Sequence, residues 1–228
     1  MGAIQLADDP NERLRAFLQQ AFACSSEVAL GIARRAAERS YSPRAVILRQ
    51  GERGAETFFV MDGRVQAMLC GPQGQLVLLH EFLPGDIFGA VAPGDPACEA
   101  EVAAVEATRT AAFRAGEFLQ IVEMHACVGL AVSRLLVRQL RAARERIAAG
   151  ALLSATGRIH AELLRLARGA DGRTIRPAPV FATLAVQVHS TRETVSRTIS
   201  ALERRGIVRR EADALVVVAP QRLAELVV

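Results

Sequence analysis

The stretch Leu184–Gly206, LAVQVHSTRETVSRTISALERRG, constrains the fold of this chain more than any other. Val195, Ile199 and Leu202 recur at spacings of four and three, so they share one face of an α-helix and require a core to cover them. Arg192, Glu193, Ser196 and Arg197 fall away from that face. Ser190 or Thr191 supplies the hydroxyl that satisfies free N–H groups of the first turn. The polar turn His189-Ser190-Thr191 separates this helix from a shorter one that contributes Leu184 and Val188. Two short helices joined in this way need a small domain around them.

A helix that begins with Arg, Glu and Ser on its open side has the layout needed to enter a DNA major groove with its N-terminal end. Arg presents two donors to guanine O6 and N7, and a carboxylate accepts from cytosine N4. Glu193 and Arg197 stand one turn apart, as do Arg192 and Ser196, so each pair can face one groove and Glu193 can orient Arg197. The competing reading is a solvated face with ordinary ion pairing. The order Thr191-Arg192-Glu193-Thr194-Val195-Ser196-Arg197 favours DNA, because it resembles the recognition helix of the cyclic-AMP receptor protein and fumarate-nitrate regulator (Crp/Fnr) superfamily of bacterial transcription factors. The resemblance implies that Arg192, Glu193 and Arg197 read base edges, with Ser196 joining them as in the Fnr branch. Thr191 opens the helix, and Arg204 and Arg205 are candidates for phosphate contact. It also implies double-stranded DNA, a second copy of the chain and RNA polymerase as partners.

Charge is distributed accordingly. All 28 basic residues are arginine; from Ala151 onward 12 Arg face 7 acidic residues, whereas the first 150 residues hold 16 against 17. The positive charge belongs to the C-terminal third, as expected of a segment that neutralises phosphates. At 228 residues and 51% hydrophobic content the chain can fill two modest cores. Apolar runs such as Leu215–Ala219 are too short to span a bilayer, and Asp8-Asp9 stand where a signal peptide would be basic or apolar, so the expectation is a cytoplasmic protein with no membrane partner. Cys24, Cys70, Cys98 and Cys127 are scattered without a CxxC pair and read as reduced thiols, with no metal site.

Taken in order, Asn11–Phe22 and Ser25–Arg39 read as helices. Six β-type runs follow, Ala45–Leu48, Thr57–Met61, Val65–Cys70, Leu76–His80, Val102–Val105 and Thr110–Phe113, punctuated by Gly51, Gly54, Gly63, Gly71, Gly74, Gly85 and Gly89. That pattern predicts an antiparallel roll. LRQGERGAETFFVMDGRVQ and FLPGDIFGA resemble the cyclic-nucleotide-binding jelly roll over nearly all of residues 25–115. In members that bind cyclic AMP, the resemblance places a Gly-Glu pair on the ribose, an Arg-Ser or Arg-Thr pair on the cyclic phosphate, and a Thr-Ser pair of the dimer helix on adenine. Here the matching positions are Gly89-Ala90, Cys98-Glu99 and Ala143-Arg144. The ribose carboxylate and the phosphate guanidinium are both absent, and Glu99 would repel an anion. Cyclic AMP is therefore not the expected effector. An iron-sulfur cluster lacks its clustered cysteines, and haem has only His80, His125 or Cys98 as axial candidates, so neither is expected. Cys98 as a redox thiol is disfavoured by Glu99 and Glu101. An apolar or bulkier anionic ligand reaching Arg144, or no ligand, stays open.

Gly116 to Leu153 reads as one unbroken helix with Val132, Leu136, Leu140, Ala143 and Ile147 on a narrow seam, close to coiled-coil spacing. It matches the superfamily's dimerisation helix in position. Ser154 caps the next helix, which runs through Ile159, Leu163, Leu164 and Leu166 to Gly169, and Ala170–Pro179 is a loop or short strand turning at Asp171-Gly172. Val180-Phe181-Ala182 replaces the polar cap that relatives carry at the first helix of the motif. Ile207–Arg210 and Leu215–Val218 read as a hairpin, the wing of a winged helix. The predicted protein is an α+β chain: a jelly-roll sensory domain over 1–115, a dimerisation helix over 116–153 and a winged helix-turn-helix over 154–228. Residues 151–228 offer no nucleophile with base and orienter, no phosphate loop and no metal-ligand spacing, which argues against an enzyme. Two alternatives share its DNA chemistry: a ligand-independent architectural DNA binder, and a cyclic-nucleotide-responsive regulator with an atypical pocket.

Overall fold

The computed structural model describes residues 10–72, 76–168 and 172–228. Asp8-Asp9, Gly74, Gly169, Ala170 and Asp171 lie outside them. Helix α1 (Pro10–Phe22) and helix α2 (Ser26–Ala33) precede eight strands: β1 (Ala37–Tyr41), β2 (Val46–Leu48), β3 (Glu56–Asp62), β4 (Val65–Cys70), β5 (Leu76–Phe82), β6 (Ile87–Gly89), β7 (Glu101–Ala104) and β8 (Thr108–Arg114). Then come α3 (Ala115–Met124), α4 (Ala126–Leu152), α5 (Ala155–Ala167), β9 (Thr174–Ile175), α6 (Phe181–Gln187), α7 (Arg192–Arg204), β10 (Val208–Arg210), β11 (Leu215–Val217) and α8 (Pro220–Ala224). Two compact units result: residues up to Arg141 without Leu76–Leu78, and Ala142–Val228 with those three.

In the first unit, a sheet ordered β1-β8-β3-β6 and one ordered β2-β7-β4-β5, the last from Leu79 onward, face each other as an antiparallel roll. Successive strand residues point to opposite faces, and β3 uses both. Phe58 and Val60 fill the roll interior with Val65, Phe82, Phe88 and Val102. Phe59 points the other way, beneath the helices with Leu18, Phe22, Phe113, Phe118 and Val132. Phe59 sits edge-on to Phe22 at 5.2 Å, while Phe58 stacks on Phe88 at 5.0 Å. A strand buried on both sides explains the unalternating run TFFV.

Two expectations are corrected. The helix read over Ser25–Arg39 stops at Ala33, and Ala37–Tyr41 instead forms β1, registered against β8 from Ala37↔Ala112 to Tyr41↔Thr108. Ladder pairing overrides the helical propensity of its Ala and Glu. The helix read as unbroken from Gly116 is two helices bent by 113°. The break is at His125, whose backbone is extended at φ −125°, ψ 97°. Phe118 and Ile121 of α3 and Val128, Val132 and Leu135 of α4 all reach the same core, so the chain turns between them. Among the described residues no single helix is long and apolar enough to cross a membrane.

In the second unit, α5, α6, α7, α8 and a three-stranded sheet ordered β10-β11-β9 enclose one core. Ser154 caps α5 by accepting from the Gly157 amide at 3.0 Å. A side chain at Gly157 would meet the Val228 carbonyl oxygen at 2.0 Å, so only glycine lets the C-terminal segment pass there. Helix α8, which the sequence reading did not anticipate, buries Leu223 in the same core.

Candidate nucleic-acid interface

The inner face of α7 is sealed: Val195 and Ile199 are 0% exposed and Leu202 2%. Beneath them lie Ile159 and Leu163 of α5, Leu184 of α6, Val208 of β10 and Val217 of β11. At 3.6 residues per turn this burial fixes the opposite face. Glu193, Arg197 and Arg204 are exposed along its outer line, with the half-buried Ser200 between the two arginines. Ser200 has no part in the sequence reading, although its spacing puts it there. Arg192 and the half-buried Ser196 flank the N-terminal end of this line. Arg205 follows α7 as its C-cap and borders a groove shared with Thr156 and His160 of α5. Thr191 is the N-cap of α7, its hydroxyl oxygen accepting from the Thr194 amide at 3.2 Å.

The turn before α7 is tied down by Arg158. Arg158 donates from Nε to the Val188 carbonyl at 2.8 Å, from Nη2 to His189 at 3.1 Å and from Nη1 to Leu153, at the end of α4, at 3.0 Å. His189 adopts a left-handed φ of 50° to make the turn. Although His189 is exposed, local desolvation and, secondarily, the positive charges of Arg158 and Arg146 hold its imidazole below the usual range.

The charge pattern separates two sets of arginines. Arg210 pairs with Glu203 at 3.0 Å and lies over the Phe181 ring, Arg209 pairs with Glu211 at 3.0 Å, and Arg176 pairs with Asp213 at 2.9 Å. These pairs lie on and around the wing. Arg192, Arg197, Arg204 and Arg205 have no ion-pair partner among the described residues. Glu193 does not bridge to Arg197, contrary to the orienting role read from their spacing. Val180 caps α6 without a side-chain bond, so that helix does lack a polar cap.

A Cyclic nucleotide-binding domain model matches residues 38–125, and a Crp-like helix-turn-helix domain model matches residues 157–226. The Cyclic AMP receptor protein of Thermus thermophilus is 30% identical over 176 residues, 75% of this chain and 79% of that protein. The chain belongs to the Crp/Fnr superfamily. The cAMP-activated global transcriptional regulator CRP of Salmonella typhimurium is 26% identical over 184 residues, 78% of this chain and 87% of that protein. A CooA mutant from Carboxydothermus hydrogenoformans shares the fold, with a TM-score of 0.77 at 20% identity and 98% of each chain covered. This Crp/Fnr protein is accordingly a DNA-binding transcription regulator and not an enzyme.

Elsewhere in the regulator, the positions matched to the cyclic-AMP site are built without its ionic groups. Gly89 has φ 90°, and a side chain there would meet the Glu56 carbonyl oxygen at 2.4 Å. Ala90 is buried, its amide donating to that same oxygen at 2.9 Å. The Cys98 thiol donates to the Ala100 carbonyl at 3.0 Å and packs against the roll core, while Glu99 faces solvent. Arg144 is an exposed residue of α4 and belongs to the second unit. Among the described residues no three His, Cys, Asp or Glu side chains come together as a metal site.

The lowered imidazole affinity of His189 for protons has a definite sign. The unfolded chain binds a proton at this residue more readily, so its contribution is complete above the ordinary His value of about 6.5 and is lost as pH falls toward the depressed folded value. Thermal unfolding of the wild-type chain should therefore shift to lower temperature between about pH 7 and pH 5. His189→Asn, whose side chain tolerates the left-handed backbone, should flatten that slope. An unchanged slope in the variant assigns the pH dependence to other groups.

Proposed function

We propose that this chain works as a homodimer that binds two-fold symmetric promoter sites through Thr191, Arg192, Glu193, Ser196, Arg197, Arg204 and Arg205. The observation that carries the reading is the outer line of α7, where charged groups with no ion-pair partner among the described residues stand over a fully buried inner face. Arg192 and Arg197 suit guanine, Glu193 suits cytosine, and Arg204 and Arg205 suit phosphate. A two-fold dimer would present the two helices roughly one helical turn, about 34 Å, apart. Residues 1–115 act as the sensory roll, 116–153 carry the dimerising helix α4, and 154–228 bind DNA. The relatives' role as transcription regulators supports RNA polymerase as a further partner.

Dimerisation through α4 is supported by its exposed apolar residues. Leu136 is 46% exposed, Val137 50%, Leu140 52% and Ile147 72%. Val137, Leu140, Arg144 and Ile147 follow spacings of three, four and three, a heptad seam. Val132, assigned to the seam by spacing, is 6% exposed and belongs to its own unit's core, so we leave it out. Ala143 is half-buried beside the stripe.

The effector is a molecule other than cyclic AMP, or none. Ala90, Cys98 and Glu99 supply neither a ribose acceptor nor a phosphate donor, and burying an unpaired anion costs several kcal/mol. A second reading, a cyclic-nucleotide-responsive regulator with an atypical pocket, is favoured by the names of the relatives, which are cyclic-AMP proteins. Calorimetric titration distinguishes the two: no saturable heat from cyclic AMP is expected, and binding tighter than about 100 μM overturns the first reading.

Binding-site selection tests the recognition residues. Glu193→Ala should relax one base pair by about 1–3 kcal/mol of discrimination, whereas Arg205→Ala should weaken all sequences alike. Retention of full base preference by Glu193→Ala would remove that residue from the readout. Leu140→Asp should leave the thermal stability of the folded chain nearly intact, since the position is exposed, and yield a monomer at micromolar concentration in ultracentrifugation. A dimeric Leu140→Asp variant puts the interface elsewhere.

A further inference from the structure

The first unit contains a cavity of about 540 Å³ between α1, β3, the Pro84-Gly85 turn and the first part of α4. Apolar side chains, Phe17, Phe22, Phe59, Met61, Leu130 and Leu135, make up much of its lining. The same space is lined by Arg134 and Arg138, successive-turn residues of α4. Both are exposed, and neither has an ion-pair partner among the described residues. From Ala126 to Arg144 the helix carries Arg134, Arg138, Arg141 and Arg144 and no acidic residue. Like charges one turn apart repel, so an anion held between the two guanidinium groups removes an unfavourable interaction as well as adding a favourable one. Guanidinium groups match carboxylates in two-pronged geometry.

Helix α4 turns adjoining faces to the core, the cavity and the exposed stripe, and Val132 and Leu135 of the core also line the cavity. Val128, Val132 and Leu135 point to the core. Val137, Leu140 and Ile147 form the exposed apolar stripe. Cys127, Ala131, Arg134 and Arg138 border the cavity. At 3.6 residues per turn the last row lies roughly a third of a turn from the stripe. The arginines are thus set apart from the proposed seam.

We infer that this cavity is a ligand site for a medium-chain carboxylate, whose hydrocarbon lies among the Phe, Met and Leu side chains and whose head group is gripped by Arg134 and Arg138. The volume falls within the range of small-molecule sites, and the pairing of an apolar body with few polar groups at one end is their usual chemistry. Its meaning as an effector site rests on the regulator reading above, but its existence does not.

Calorimetry on the full chain with decanoate, kept below its micellar concentration, reads the site directly. One saturable site per chain with Kd below about 100 μM is expected. The double variant Arg134→Ala/Arg138→Ala should bind at least tenfold more weakly, and 1-decanol, which has the chain without the charge, should show a similar loss. Absence of saturable heat overturns the site, as does unchanged affinity in the double variant or decanol binding as tight as decanoate. A double variant that turns monomeric in ultracentrifugation assigns the arginines to the subunit interface and overturns it too. Failure of the unmodified protein to bind any selected DNA would sink the regulator reading and leave the decanoate result standing.

Discussion

Burial of the inner face of α7 is the constraint on which the DNA-binding unit depends. Each large aliphatic side chain removed from water contributes about 1.5–3 kcal/mol, and Val195, Ile199 and Leu202 are all essentially inaccessible. Turning the helix by one residue would swing these groups aside and drive Ser196, Ser200 and Glu203 toward the core in their place. The orientation of the outer line is therefore set from inside. Helices α5, α6 and α8 and the three-stranded sheet all contribute to the core that covers α7.

The roll is organised around β3 in a comparable way. Phe58 and Phe59 are neighbours in sequence yet belong to different cores, one inside the roll and one beneath the helices. A single strand thereby fixes both the packing of the two sheets and the seating of α1, α3 and α4. This interior is thereby committed to aromatic and aliphatic contacts, with the Cys98 thiol beside it turned onto the Ala100 carbonyl.

How much of this is legible in the sequence follows from how local each signal is. The amphipathy of α7, its Thr191 cap, the Ser154 cap of α5 and the glycine-punctuated strands are written within a few residues, and the structure contains them. Strand β1 was hidden because AERSY has neither alternation nor β-branched residues; only its partner β8 makes it a strand. The bend at His125 has no glycine or proline to announce it and arises from a core shared by α3 and α4. Val132 looked like a seam residue because spacing along one helix cannot tell which of two apolar faces meets the chain's own core. The Arg158 contacts were out of reach for a related reason, since they join residues thirty positions apart.

Those contacts make one side chain the common anchor of two places in the unit. The guanidinium of Arg158 gives one donor to the carbonyl of Leu153, the residue that follows α4, and two to the turn that precedes α7. Backbone carbonyls offer no alternative rotamers, so the three acceptors act as a rigid socket and the side chain as a pin. The segment after α4 and the turn before α7 are thereby held by one planar group, with Arg158 as the side chain that joins them. The second unit thus carries a short linkage, one residue wide, between the residue that follows α4 and the turn that precedes α7.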